Sequence, residues 1–393
     1  MVAVVLLVAG VVSSPGGMRP IATAEVTWAV DVASGSSPSV WVMDGLVTIV
    51  EAERVVARTP EDGAERWTVP LDDPLCSSDG LRLACVTTDG TDAVITEIDA
   101  DGSTHDQQIP GVQVATPLGA DLVVAGGEMA APWVERLDPH GEAVWHTDLE
   151  GHLEAPETLA FGHLHATDER VLWRFTDGDF IWPIFQAIDP DDGEPFHVFP
   201  PARASSSDPD AHVRERHVLE SDERDPTSSI VLLQGGVAPG VDEPWLWRWD
   251  EREAPLAIDG DTVVTTLLSE SLHGAGDEPP DQDGPLHPAA VRFRDLRSGQ
   301  TLAESDSPYL DVTCPCTATP DGLVARGIRV ADRAALDEGQ GTVDLVLFNR
   351  ETASPTWRHP LVTEWGNDTT RLASHGEAVF VLTGGEVVAL TAQ

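Results

Sequence analysis

The chain has no lysine. All 23 of its basic residues are arginine, set against 67 aspartates and glutamates for a formal net charge of −44. A field of that sign repels nucleic acid and anionic lipid, and no nucleic-acid partner is expected; it suits solubility, cation-rich or saline surroundings, or a basic partner. Long amphipathic helical patterns are missing too, which excludes a helical fold. So are the common catalytic signatures: there is no Gly-x-Ser-x-Gly elbow, no Walker loop and no His-Glu-x-x-His. The Asp-rich turns at 99–102, 189–193 and 259–261 lack the twelve-residue loop with a terminal Glu that calcium requires, so they read as turn chemistry.

What is present is a degenerate repeat. Asp44-Gly45-Leu46-Val47-Thr48-Ile49-Val50 leads to Thr59-Pro60-Glu61-Asp62-Gly63-Ala64-Glu65-Arg66-Trp67, and Ala120-Asp121-Leu122-Val123-Val124-Ala125-Gly126 leads to Leu137-Asp138-Pro139-His140-Gly141-Glu142-Ala143-Val144-Trp145. In each copy an apolar strand is followed by a second strand, a turn ending in Gly, and a Trp four residues later. The turn anchors are Thr59, Asp99, Asp138, Asp189, Asp250, Asp295, Asn349 and Thr391, at a period of about 40 residues where no insertion intervenes. Asp opens such a turn by bonding its own backbone, and Gly closes it at positive φ. The aromatic positions Trp28, Trp67, Trp145, Phe196 and Trp357 are the expected blade-stacking side chains. The last copy stops at Gln393 before any Trp, and Glu25-Val26-Thr27-Trp28 at the other end supplies the missing strand. The expectation is an all-β, eight-bladed propeller of four-stranded antiparallel blades, closed by the N-terminal strand, with seven blades if one copy is misread.

The phrase of apolar strand, Leu or Ile before Asp, turn Gly and Trp resembles the PQQ-like (quinoprotein-type) β-propeller repeat, most closely at 187–194 and 136–145. That resemblance implies the fold along nearly the whole chain after the leader. It implies little about activity, because propellers host unrelated functions. Quinoprotein dehydrogenases with this repeat use calcium-bound PQQ, a catalytic Asp and a vicinal Cys-Cys pair. Cys314-Pro315-Cys316 is not vicinal, and no cofactor is expected.

The organisation is a leader, 1–24, and one propeller domain, 25–393. Met1 opens into an apolar run from Val2 to Val12, of signal-peptide length and short of the ~20 residues of a membrane span. No basic residue precedes it. Either it is a signal peptide whose start lies upstream, or it is the remnant of a membrane anchor. No Cys follows it, so no lipoprotein anchor is expected; both readings place the domain in the cell envelope or outside the cell. Cys76 and Cys85 flank the turn 77–80 on adjacent strands, where a cross-strand disulfide is geometrically reasonable and needs an oxidising compartment. Cys314 and Cys316 form either a strained bridge or two inert thiols; no basic residue lies near in sequence to activate them.

His163 and His165 share one face of a strand, an arrangement a metal could use, but no third ligand stands at fixed spacing. Insertions at 126–132, 177–183, 235–244, 270–290 and 331–341 fall between the second and third strands of their copies and therefore emerge on one face of the disc, joined there by the connection 201–226. Trp133, Phe180, Trp182, Trp245 and His273 make up the candidate binding face, since loops on a rigid scaffold carry binding. The function expected is a non-enzymatic, monomeric binding or scaffolding module whose partner is a protein or a wall polysaccharide. The alternatives are a divergent quinoprotein-like oxidoreductase or other enzyme at the central channel, and the extracellular sensor domain of a membrane-anchored protein.

Overall fold

The computed structural model describes residues 21–33, 35, 38–89, 92–128, 131–149, 159–166, 171–177, 184–197, 216–219, 231–234, 253–259, 262–267, 288–295, 299–330, 341–361 and 370–391. Among these there is no helix, and the strands make eight antiparallel sheets, six of four strands, one of five and one of two. We number the sheets by their place along the chain. Sheet 1 is Ser39–Met43, Leu46–Val50, Arg54–Arg58 and Glu65–Pro70; sheet 2 is Leu75–Ser78, Arg82–Asp89, Asp92–Asp99 and Thr104–Gln108. Sheet 3 is Val112–Leu118, Asp121–Glu128, Ala131–Leu137 and Ala143–Asp148; sheet 4 is Leu159–Ala166, Val171–Asp177, Ile184–Ile188 and Pro195–His197. Sheet 5 is the pair Arg216–Leu219 and Val231–Gln234, and sheet 6 is Glu253–Asp259, Thr262–Leu267, Ala290–Asp295 and Thr301–Asp306. Sheet 7 is Asp311–Thr319, Gly322–Arg329, Thr342–Asn349 and Pro355–Leu361, with Ala22–Thr23 added in parallel along the last strand. Sheet 8 is Arg371–His375, Ala378–Thr383 and Glu386–Thr391, and its fourth strand is the N-terminal Glu25–Asp31.

Sequence neighbours within a sheet pair antiparallel. In sheets 1 to 3 every join is short, whereas the second-to-third joins of sheets 6 and 7 span 268–289 and 330–341, and the fourth strand of sheet 8 comes from the other end of the chain. The strands buried on both faces read as apolar runs, as in Thr342–Asn349 and Glu386–Thr391; the fourth strands alternate, one face to the core and one to water. First strands of successive sheets lie side by side, sheet 8 against 1, 1 against 2, 2 against 3, 3 against 4, 6 against 7 and 7 against 8. The core consists of apolar clusters between sheets, such as Trp28 and Phe380 of sheet 8 with Val40 and Ile49 of sheet 1.

The turn before the fourth strand has one geometry at six places. The anchor N–H of Thr59, Asp99, Asp138, Asp189, Asp295 and Asn349 bonds the carbonyl four or five residues on, and the N–H of Gly63, Gly102, Gly141, Gly193, Gly299 and Ala353 returns to the anchor carbonyl. The closing residues all have positive φ, from 54° at Ala353 to 83° at Gly102. The turn at Asp250 lies outside the described residues.

One expected insertion is corrected. The segment 126–132 is not a loop: Gly126 pairs Trp133, Gly127 pairs Pro132 and Glu128 pairs Ala131, so the hairpin runs on to its tip. Gly126 serves close approach instead of looping, since a Cβ there would lie 2.0 Å from the Gly111 oxygen.

Candidate functional site

The two ends of the sheets differ: rings on glycines recur at the turn end, beside the ion pairs Arg82–Glu97 and Arg136–Asp121. At the end that carries the six like turns, the fourth-strand aromatics sit on the glycine of the next sheet's turn. A Cβ at Gly63 would lie 2.8 Å from the Trp28 ring, one at Gly102 2.7 Å from Trp67, and one at Gly193 2.7 Å from Trp145. Each indole N–H donates to the carbonyl just after the anchor: Trp28 to Pro60 at 2.8 Å, Trp67 to Ala100 at 2.9 Å and Trp145 to Pro190 at 2.8 Å. Glycine is needed because any side chain would occupy the plane of the ring. Trp357 is buried at the corresponding place of sheet 7, packed with Val388 and Leu390 of sheet 8. The backbone of Phe196 pairs Ala187 at the corresponding register; its side chain lies outside the described residues.

The opposite end carries the connections between second and third strands and those between sheets, and its clusters are charged. In sheet 7 the carboxylate of Asp344 is 1 % exposed and is held on Oδ2 by Arg329 Nε at 2.8 Å and Arg358 Nη1 at 3.3 Å, while the Tyr309 hydroxyl donates to it at 3.3 Å. The arginine side chains remain 37 % and 33 % exposed. Asp344 faces inward because it replaces one apolar residue of a buried strand, and a buried carboxylate persists only when paired and hydrogen-bonded. Arg329 also lies 5.9 Å over the Tyr309 ring, which is locked by Phe348 edge-on and by Gly327, where a Cβ would stand 2.6 Å away. Burial, and then the Asp344 charge, push the Tyr309 phenol well above its ordinary range, against the pull of both arginines. His359, half-buried beside them, is lowered by burial against the opposing field of Asp344, which favours neutral imidazole at pH 7. Two guanidiniums sharing one carboxylate leave a net positive spot with outward N–H donors, on a chain of charge −44.

Smaller clusters mark the same end of other sheets. Glu51, with a side chain 3 % exposed, takes Arg54 Nε at 2.9 Å. Trp133 stacks on His146 at 5.6 Å, and His146 lies 3.8 Å from Glu135 and 3.4 Å from Asp148. Trp133 is the one member of the expected binding face among the described residues, and it sits on a paired strand. Phe180, Trp182, Trp245 and His273 lie outside them. His163 and His165 have their backbone on Leu159–Ala166, with side chains likewise outside. Among the described residues no three His, Cys, Asp or Glu side chains are grouped to hold a metal.

Cys76 and Cys85 face each other across the first two strands of sheet 2 and are joined by a disulfide, with Cα atoms 4.0 Å apart. Cys316, buried on the first strand of sheet 7, is also disulfide-bonded; the Cys314 side chain lies outside the described residues. Among those residues no helix is long and apolar enough to cross a membrane; the apolar run 2–12 lies outside them, whereas Ala22–Thr23, counted with the leader from sequence, pairs with Trp357 and Arg358 of sheet 7.

Sequence comparison adds one match. The family described as outer membrane protein assembly factor BamB matches residues 20–131, from the N-terminal strand through sheets 1 and 2 into sheet 3. The resemblance to the PQQ-like repeat stands on that stretch. No curated protein matches the chain in sequence. Among solved structures it is similar to the Neurospora crassa Pan2 WD40 domain, with a TM-score of 0.43 and 10% identity over 96% of this chain and 97% of that one. It is also similar to Kluyvelomyces marxianus Hsv2, with a TM-score of 0.38 and 10% identity over 92% and 90%, and to a protein of unknown function from Bacteroides caccae, with a TM-score of 0.34 and 12% identity over 80% and 92%.

Sequence reasoning missed Tyr309, Arg329, Asp344, Arg358 and His359. The only signal was a lone charge inside the apolar run Val343-Asp344-Leu345-Val346-Leu347-Phe348, which reads as a buried carboxylate in need of partners.

Proposed function

We propose that this chain is a non-enzymatic, cofactor-free binding module of the cell envelope: a closed eight-bladed propeller that takes a protein partner at the connection-bearing end of its sheets. The observation that carries the binding role is the Asp344 cluster, where Arg329 and Arg358 are fixed by one buried carboxylate yet keep donors facing solvent. Pre-ordered guanidiniums lose little entropy on meeting a carboxylate, which makes an acidic side chain or chain terminus the natural contact on the partner. Eight blades and closure are supported by the eight sheets, by the N-terminal strand completing sheet 8, and by the side-by-side first strands. The envelope assignment is supported by the disulfide and by the match to an outer membrane protein assembly factor.

The test is affinity capture from an envelope extract with the full chain and with Arg358→Gln. That variant leaves Arg329 and Tyr309 on Asp344, so the cluster is not left with an unpaired buried charge. The partner captured by the wild type is expected to fall about tenfold in apparent affinity in the variant. Equal capture by both would refute the site, and dye-linked turnover by the wild type with PQQ and Ca²⁺ would refute the non-enzymatic reading.

A further inference from the structure

Side chains alternate along the third and fourth strands of sheet 3, so residues two apart share a face: Trp133 with Glu135 on one strand, His146 with Asp148 on the next. The register sets Trp133 opposite Asp148 and Glu135 opposite His146, which brings all four side chains to one face near the connection end. There the Trp133 and His146 rings stack, with 5.6 Å between centroids and 29° between planes. One face of the imidazole is thereby taken, yet the side chain stays 45% exposed. Its two nitrogens approach different carboxylates, Nδ1 that of Glu135 at 3.8 Å and Nε2 that of Asp148 at 3.4 Å. Both distances exceed the roughly 2.7–3.2 Å of a close N–H···O bond.

Glu135 differs from the other carboxylates of its depth. Glu51, Glu97, Asp121 and Asp344 are as buried or more so, and each is held by arginine: Arg54, Arg82, Arg136, and Arg329 with Arg358. Glu135 is 20% exposed, and among the described residues no arginine reaches it. Its chain neighbour Arg136 points to the opposite face, toward Asp121 and the Pro190 carbonyl. A carboxylate drawn partly out of water is stabilised by a nearby cation and by hydrogen bonds, and Asp148, 82% exposed, adds a second negative charge beside it. The geometry selects among cations. The carboxylates flank the ring on different sides instead of converging, and among the described residues no side chains group to hold a metal. A planar cation laid on the open side of the imidazole, with N–H donors along both edges, meets the ring and both acids together. Guanidinium has that shape, whereas an ammonium is a compact point charge without a flat face to stack.

We propose that this face of sheet 3 is a binding site for an arginine side chain of a partner protein, its guanidinium stacked on His146 and bonded to Glu135 and Asp148. The site shares with the preceding reading only the premise of a protein partner. It is built on a different sheet from the Asp344 cluster and takes the opposite charge.

The probe is Nα-acetyl-arginine amide, titrated at about 0.15 M salt into the full chain carrying ¹³C at histidine Cε1. Among the chain's 13 histidines, the His146 signal is identified by its loss in His146→Gln. A saturable shift of that signal is expected, with a Kd on the order of 1–10 mM for one side chain. The uncharged isostere Nα-acetyl-citrulline amide should bind at least about tenfold more weakly, and Glu135→Gln should weaken the arginine probe by about tenfold. Asp148→Asn, at an exposed position that leaves the fold intact, should weaken it by about threefold and keeps the test decisive if Glu135→Gln folds poorly. Glu142→Gln, an exposed acid in the turn of the same sheet, should change nothing. The absence of a saturable shift at His146 would overturn the proposal, as would equal affinity for citrulline or unchanged affinity in a folded Asp148→Asn. So would a loss in Glu142→Gln as large as that in Asp148→Asn, which would mean diffuse attraction to an acidic surface. Arg358→Gln should leave the titration unchanged, so this site and the Asp344 cluster stand or fall separately.

Discussion

The turn end and the connection end of these sheets solve the same problem, joining one meander to the next, with opposite chemistry. At the turn end a ring lies on a glycine and gives its N–H to a carbonyl; at Pro190 that carbonyl also takes Arg136 Nη1 at 2.6 Å, from a guanidinium that keeps its charge at ordinary pH. At the connection end of sheet 7 a buried carboxylate gathers two arginines from the two flanking strands and a phenol from the preceding connection. The first arrangement recurs because it needs only backbone geometry and one large side chain. The second is particular to its sheet and depends on pH. A repeat protein uses its constant end for stability and its variable end for contacts with others.

The sharpest way to break the comparison is at the turn end. Trp145 is 8% exposed, packs on Gly193 and donates to Pro190 at 2.8 Å. Trp145→Ala should therefore cost about 3–5 kcal/mol in denaturant melts. The cost should be the same at pH 6 and pH 9, because Arg136, the charged group that shares the Pro190 carbonyl, stays protonated across that range. A loss that grew toward either pH would mean that a group titrating in that range also holds the joint.

The connection end should behave in the other way. The Tyr309 phenol is raised in the fold above its ordinary value near 10, first by burial and then by Asp344. A group whose folded pKa is raised contributes stability that is intact below the unfolded pKa and is lost as pH climbs through the folded one. The wild type should lose stability above pH ~10, and Tyr309→Phe should abolish the part of that loss due to the phenol. At pH 7 the variant should be weaker by about 1 kcal/mol, the worth of one hydrogen bond. Tyr309 is the chain's single tyrosine, so ultraviolet difference absorbance reports its ionisation directly. A phenol titrating at its ordinary pKa would show that the cluster is open to water.

The contrast also explains what the sequence made legible. The turn end is written locally: an anchor residue, a glycine three or four places on, and a tryptophan four beyond it, which is why Trp67 and Trp145, and Trp28 as the piece missing from the last copy, could be named before their contacts. The connection end is not local. Tyr309, Arg329, Asp344 and Arg358 follow no spacing rule, because their convergence is set by strand pairing, and only the lone Asp344 in an apolar run betrays it. The hairpin at 126–132 misled for a related reason. Gly126 and Gly127 look like loop residues, yet the first is there to let the Gly111 backbone pass. The junction between sheets 2 and 3 was visible only as a missing tryptophan in the second copy, which does not say that the Gln107 amide covers Gly141 in its place.

The junction of sheets 6 and 7, where Ala303 stands at the aromatic position and Ala353 at the glycine position within one core cluster, gives the smallest effect and the closest test of the pairing logic. Ala353 is fully buried with φ 54°, a left-handed conformation that costs a Cβ-bearing residue about 1 kcal/mol. Ala353→Gly removes that strain and also removes a buried methyl worth about 1 kcal/mol, so its net effect on stability should be close to zero. Ala303→Trp alone should be strongly destabilising, because the Ala353 methyl occupies the plane the indole needs. In the double variant the indole gains a glycine floor like that of Gly63, and the loss should shrink by about 1–3 kcal/mol in a double-mutant cycle. Additive effects would mean that ring and glycine are not a coupled pair, and that the sister junctions owe their stability to the tryptophan alone.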